Sequence, residues 1–277
     1  MNQEHAVKIY KKLKFQNPSL VVVWNEDAGN LGRAVGGYLK QKLTGQEFAE
    51  ITLENFFPLD GVSVKDDLAQ FPESKFYACQ ENKLVIFQST PPESEWYAFL
   101  NSVLDMAEHH CQIKELYTIG GMISESAHTI PRTLLTIVNS PEMKETLSQY
   151  DIASDMDYQT PHGQRPTLSS FLLWVAKRRN IQGASLWVPI PFYLVATEDI
   201  KAQRSILSFL DKRFELRLDF SDLDQEVQDQ NEKLAQLRFD FPKIDDPIRR
   251  LESNLGLSEE ENRELIRQIE KFLSKRR

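Results

Sequence analysis

The chain has 277 residues, 27% of them charged and 41% hydrophobic, with a net charge of −8 at pH 7. That composition fits an ordinary globular protein and offers no basic footprint for nucleic acid or an anionic membrane. No apolar run approaches about eighteen residues, so no membrane-spanning helix is expected, and Met1-Asn2-Gln3-Glu4-His5 lacks the apolar core of a signal peptide.

The first strong element is Val21–Trp24, an unbroken apolar run that reads as a strand buried on both faces. Leu31, Val35, Leu39 and Leu43 then make a four-residue stripe, the mark of a helix, with Gly45 where a C-terminal cap belongs. Glu47 to Leu53 alternates as a second strand. Residues 54–75 read as irregular, broken by Pro58, Gly61 and Pro72. Phe76 to Cys79 and Leu84 to Gln88 are strands joined at Glu81-Asn82. Ser94 to His110 is helical, with Trp96, Leu100, Val103, Leu104 and Ala107 on one side.

Leu116 to Ile119 and Leu134 to Val138 are further strands. Ser140-Pro141 supplies a capping hydroxyl and a first-turn proline for a short helix. Thr167 to Arg179 is a helix and Ser185 to Ile190 a strand. Pro189 and Pro191 then require the strand to end or to lie at an edge. Thr197 is the expected cap of a helix running to about Lys212, with Glu198 and Asp199 at its positive end.

The last sixty residues differ in kind. Phe220, Val227, Leu234 and Phe241 are spaced by seven, and Leu223, Gln230 and Leu237 follow the first three at three residues. This is a short heptad stripe ended by Pro242. It must bury against its own α/β part, its own last helix or another subunit. Asp246-Pro247 is expected to open another helix, closed by Gly256. Ser258 with Glu261 forms a capping box for the last helix, whose Leu265, Ile266, Ile269, Phe272 and Leu273 share one face. The expected fold class is therefore α/β: a three-layer α/β/α domain over 1–218 with a mixed sheet, carrying a C-terminal helical extension over 219–277.

Chemistry-bearing residues are few. Cys79 and Cys111 are too sparse for a disulfide framework and read as reduced thiols of a cytoplasmic protein. The turn Asp27-Ala28-Gly29-Asn30-Leu31-Gly32 could offer N–H groups to a phosphate. It lacks the glycine spacings of dinucleotide and Walker loops, so Gly29, Gly32, Gly36 and Gly37 read first as packing residues. His109, His110 and Cys111 are adjacent and point in different directions, and no metal spacing occurs, so no metal is expected. Ser124-Glu125-Ser126-Ala127-His128 with Arg132 invites a serine–histidine reading. No nucleophile elbow accompanies it, and structural hydrogen bonds at His128 and Arg132 are the expected use. Asp155, Asp157, His162 and Arg165, with Tyr158 and Gly163 among them, read as a solvated loop.

Taken in order, several segments resemble the PAC2 family, named for a proteasome assembly chaperone. They are Ser19–Trp24, Asp27–Gly32 with its helix, and Lys83–Phe87 with Pro91-Pro92-Glu93 and Trp96. Ile119-Gly120-Gly121 with His128-Thr129 and Arg132 comes next, then Val188–Tyr193 and Ile269–Leu273. The resemblance implies a fold like that of purine nucleoside phosphorylases. It places the family's histidine–threonine and arginine at His128, Thr129 and Arg132 without a catalytic role. It also implies closed homo-oligomers, with a trimer among the candidate stoichiometries. Relatives that dock on the proteasome use a tail of a hydrophobic residue, a tyrosine and one more. Ser274-Lys275-Arg276-Arg277 does not match that tail, so docking by that route is not expected.

Two readings follow. One is a non-catalytic oligomeric protein of assembly-chaperone type, with itself as partner and no cofactor. The other is a binder of, or enzyme on, a nucleoside-like ligand, resting on fold analogy. Asp27, Asn30, His128 and Arg132 are the candidate ligand-binding residues. A concave pocket gathering them would favour the second reading.

Overall fold

The structure is a computed structural model describing residues 7–52, 56–57, 63–65, 67–153, 157, 159–160 and 162–274. Its first half runs β1 (Val7–Ile9), β2 (Ser19–Trp24), α1 (Leu31–Lys42), β3 (Gln46–Ile51), β4 (Ser63–Lys65), β5 (Leu68–Gln70), β6 (Ser74–Cys79), β7 (Leu84–Ser89) and α2 (Trp96–Asp105). Then come β8 (Glu115–Ser124), β9 (Leu135–Val138), α3 (Pro141–Leu147), α4 (Leu168–Arg178), β10 (Gln182–Pro191) and α5 (Ile200–Phe214). Three helices end it: α6 (Ser221–Asp240), α7 (Pro242–Glu252) and α8 (Glu259–Ser274).

Eight strands make one mixed sheet, ordered β1-β3-β6-β7-β2-β8-β10-β9. Its centre, β7-β2-β8-β10, is parallel, and the flanking pairs are antiparallel. Val21–Trp24, Leu84–Gln88, Leu116–Ile119 and Ser185–Ile190, each expected as a strand, all lie here. Alternate side chains of β2 go to opposite faces. Val21 and Val23 pack with Leu31, Val35 and Leu39 of α1 and with Ile206 and Leu210 of α5. Leu20, Val22 and Trp24 pack with Phe99, Leu100 and Val103 of α2 and Leu172 of α4. Helices on both faces make the α/β three-layer arrangement, and they explain why these strands are apolar without alternation.

Several local expectations change. Residues 54–75 contain the hairpin β4–β5, paired Lys65 to Leu68 with left-handed Asp67 (φ 62°). Three-residue strands are too short to show a period, and Leu53, Pro58 and Gly61 lie outside the described residues. The left-handed residue after α1 is Thr44 (φ 50°), not Gly45, whose N–H closes the helix on the Lys40 carbonyl at 2.8 Å. After α7 the same position is held by Asn254 (φ 55°), not Gly256. Asp199, not Thr197, caps α5: its carboxylate accepts from the Ala202 N–H at 3.0 Å, while the Thr197 hydroxyl donates back to Leu194. Asp246-Pro247 opens nothing. Pro242 is in the first turn of α7, and Pro247 lies inside that helix. Burial of Ile244, Ile248 and Leu251 offsets the hydrogen bond that Pro247 removes.

The heptad stripe is spent inside the chain. Leu223, Leu234 and Leu237 are buried in the same apolar cluster as α5, with Phe220 and Val227 packed beside them. Gln230, the polar member, donates to the Glu198 carbonyl at 2.7 Å and accepts from the Ile200 N–H at 3.2 Å, so it closes the start of α5. Phe241 drops out of the stripe and is 47% exposed. Ile244, Ile248 and Leu251 of α7 and Leu265 and Ile269 of α8 enter the same cluster. The Ser258–Glu261 capping box forms in both directions, at 2.7 and 3.3 Å. Leu234→Ala is expected to cost about 2–5 kcal/mol in a single cooperative urea transition. A cost under about 0.5 kcal/mol, the usual range for a surface site, would remove α6 from the core.

Candidate functional site

The Asp27 turn is built to join two strands. β2 stops at Trp24, whereas β8 continues to Ser124, so beyond Ile119 one edge of β8 loses its strand partner. A buried N–H left in that state is costly. The Asp27 carboxylate replaces the missing strand. It accepts from Gly121 N–H at 2.9 Å and from Gly32 N–H at 3.1 and 3.2 Å. A Cβ on Gly121 would sit 2.1 Å from the Ala28 carbonyl oxygen, and one on Gly32 would sit 2.5 Å from that of Trp24. Gly36 is crowded by Val23, while Gly37 has open space and no packing need. Gly29 (φ 70°) and Asn30 (φ 50°) take left-handed backbone that lets the turn close. The N–H that a phosphate would use, that of Gly32, is already held by Asp27.

His128 lies after β8 and is 4% exposed. Its backbone N–H donates to the Tyr193 hydroxyl at 2.6 Å, and its Nδ1 lies 2.9 Å from the same oxygen. Burial, aided by Arg238, Lys201 and Arg132, pushes its pKa down to about 4. Arg132 is fully engaged. Its Nε and Nη2 each reach Asp199 Oδ2 at 2.9 Å, and its Nη1 donates to the Ile130 carbonyl at 2.7 Å. Asp199 in turn caps α5, so this buried pair fixes the loop to the helix start.

The four candidate residues therefore fall into three networks, with Asp27 and Asn30 sharing one turn in which the Asn30 N–H donates to the Asp27 carbonyl at 3.1 Å. A cleft of ≈ 450 Å³ includes His128 but is otherwise lined by Thr129, Lys201, Asn231, Ala235, Arg238 and Asp245. Asp27, Asn30 and Arg132 are not in its lining. Ser124 turns its hydroxyl to Ser126 at 3.1 Å, and His128 Nδ1 is taken by Tyr193, so no serine–histidine couple forms. Lys201, Asn231 and Arg238 escaped the sequence reading because they come from α5 and α6, far along the chain. A wider groove of ≈ 1300 Å³ lies between α7 and α8, with Phe241, Ile244, Pro247 and Leu265 among its walls.

The other polar segments do not converge. Asp157, His162 and Arg165 are exposed, and Asp155 and Tyr158 lie outside the described residues. His109 and His110 are exposed on a π-helical segment, Met106–Cys111, that continues α2, while Cys111 is buried. Among the described residues no group of three or more His, Cys, Asp or Glu is placed to hold a metal ion, and no helix is long and apolar enough to cross a membrane.

Burial pushes Asp27 up from its ordinary 3.8 to about 6, against the backbone N–H bonds from Gly121, Gly32 and Leu31 that favour its charge. A raised acid gives stability that is complete below pH 3.8 and is lost as pH rises through about 6. The stability of the wild type relative to Asp27→Asn should therefore fall between these values, by up to about 3 kcal/mol at 1.36 kcal/mol per pH unit. Urea unfolding of both proteins from pH 3.5 to pH 7.5 checks this, and a flat difference would refute it.

The sequence model of the PAC2 family matches residues 25–238. No curated protein matches the chain. Among solved structures, the Mycobacterium tuberculosis protein of unknown function Rv2714 has a TM-score of 0.75 at 19% identity, covering 92% of this chain and 90% of its own. Pyrococcus furiosus PbaB, an archaeal proteasome activator, has a TM-score of 0.66 at 20% identity, covering 84% and 98%. The Mycobacterium tuberculosis proteasome-assembly chaperone homologue Rv2125 has a TM-score of 0.66 at 15% identity, covering 79% and 94%. At these identities the likenesses establish the fold. The family match spans the Asp27 turn, the Gly121 crossing, His128, Arg132 and the strand ending at Pro191, and the chain belongs to the PAC2 family.

Proposed function

We propose that the chain is a non-catalytic homo-oligomeric protein of assembly-chaperone type that works in the cytoplasm through protein surfaces. One observation carries this reading. Asp27 and Arg132, residues a catalytic site would recruit, are spent on hydrogen bonds within the fold, and His128 engages its backbone N–H and Nδ1 with Tyr193. The likeness to PbaB and Rv2125 supports it. Residues 219–277 are read as a helical extension packed on the α/β part, and the buried stripe of α6 directs self-association elsewhere.

The outer face of α2 and α4 suits that role. Phe171 and Trp174 stack at 5.3 Å, Tyr97 lies 6.3 Å from Trp174, and the Arg178 guanidinium sits 5.0 Å over the Trp174 ring. Tyr97 is 51% and Trp174 45% exposed. A contiguous aromatic patch of this kind marks an association surface, and aromatic residues with arginine are enriched at protein interfaces. A second copy of the chain is the proposed occupant, with a closed trimer as one arrangement.

Light scattering at micromolar concentration should give a multiple of 32.1 kDa. Tyr97→Glu with Trp174→Glu should return the mass to one chain while the far-ultraviolet circular dichroism is kept. A wild-type mass of a single chain would overturn the oligomer. For the chaperone reading, affinity purification from the source cell should recover incomplete assembly intermediates of a multisubunit complex. Recovery of the finished complex alone, or of none, would overturn it. A hydrolase or phosphorylase activity abolished by His128→Ala, with folding intact, would overturn the non-catalytic reading.

A further inference from the structure

His128 and Lys201 meet in the cleft between the loop after β8, the first turn of α5 and the wall of α6. The hydrogen bonds at Tyr193 decide which imidazole nitrogen bears the proton. The Tyr193 oxygen already accepts the His128 backbone N–H at 2.6 Å. Its own hydrogen has no other acceptor among the described residues, so we assign it to His128 Nδ1, 2.9 Å away. Nδ1 is therefore the acceptor, and in a neutral ring Nε2 carries the hydrogen. Among the described residues Nε2 has no hydrogen-bond partner, and it is not sealed from solvent. His128 is 4% exposed and lines the cleft, and the cleft is where we place its Nε2–H.

Lys201 adds the charge. Its ammonium donates to the His128 carbonyl at 2.9 Å, which uses one of three N–H groups. The neighbouring cations are neutralised: Arg132 by Asp199, and Arg238 by Asp245 and Glu252. Among the described residues Lys201 has no carboxylate within ion-pair distance. Asn231, on the α6 wall, has no hydrogen bond to its side-chain amide among the described residues. The residues that carry these three donors line a space of ≈ 450 Å³, the size of a small-molecule site, whose Asp245 carboxylate is paired with Arg238.

We propose that this cleft is an oxyanion site, in which Lys201 Nζ, His128 Nε2–H and Asn231 Nδ2 hold the carboxylate or phosphate group of a small metabolite. The charged donor supplies the strength, and the neutral imidazole and the amide supply direction. The site needs no protonation of His128, so it operates at neutral pH.

The test is a histidine-labelled NMR titration of the full chain with inorganic phosphate and, separately, with acetate. Sodium chloride holds the ionic strength constant. The free protein should show the Nε2–H tautomer at His128, and a saturable shift of that ring should follow. Tighter binding of phosphate would assign a phosphate group, and tighter binding of acetate a carboxylate. Lys201→Met should weaken binding by about tenfold or more, the loss of one charge-assisted hydrogen bond. Asn231→Asp, on the cleft wall, should abolish it by repulsion and carries the test if Lys201→Met fails to fold. An Nδ1–H tautomer, no saturable shift with either anion, an equal response to chloride, or unchanged affinity in a folded variant would each overturn the proposal.

Discussion

The Asp27 carboxylate is the piece on which the far ends of β8 and β10 and the loops after them rest. It lets β8 run on after β2 has turned away, because it accepts the Gly121 N–H that β2 no longer reaches. With that N–H satisfied, β8 and β10 stay paired out to Ser124 and Pro191. The chain then delivers Tyr193 beneath His128, and Val195, whose carbonyl accepts the Gly29 N–H at 2.9 Å, locks back onto the turn. The absence of a side chain at Gly121 is part of the same device, since the Ala28 carbonyl occupies the place a methyl would need.

That device also explains where the sequence was legible. Apolar runs such as Val21–Trp24 and Leu84–Phe87 announce buried strands because both of their faces are covered by helices. Caps that use a hydroxyl at the right offset, Ser140 and Ser258, read directly, and each accepts the expected N–H. The extension of β8 did not read, because Gly120-Gly121 looks like a break when the approach of Ala28 is unknown. Glycine was likewise overvalued at helix ends, where Thr44 and Asn254 take the left-handed conformation. Asp199 won the α5 cap from Thr197 because one carboxylate can accept from both Ala202 and Arg132. These are choices made by tertiary contacts, which local propensity does not contain.

The candidate site divides in the same way. Asp27, His128 and Arg132 stood out as polar residues near strand ends, and the structure engages all three. It keeps them apart, each in its own network, and it brings to His128 a lysine 73 positions further on. No local motif links that pair. Asn231 and Arg238 reach the cleft only because the stripe of α6 is buried against α5. Packing of the C-terminal helices thus shapes a wall of the cleft, to which α6 also lends Ala235.

The two ends of the sheet carry a further consequence. One border strand, β1, has three residues, and the other, β9, has four and covers only Ala184–Trp187 of β10. Beyond Trp187, among the described residues, no strand pairs with the outer border of β10. Gly183 turns its backbone toward β9, as its bonds with Asn139 show, so Pro189 and Pro191, at the same parity, turn the same way. Neither has an N–H to offer an incoming strand. Templated strand addition, the route to fibrous aggregates, is thereby closed on that border.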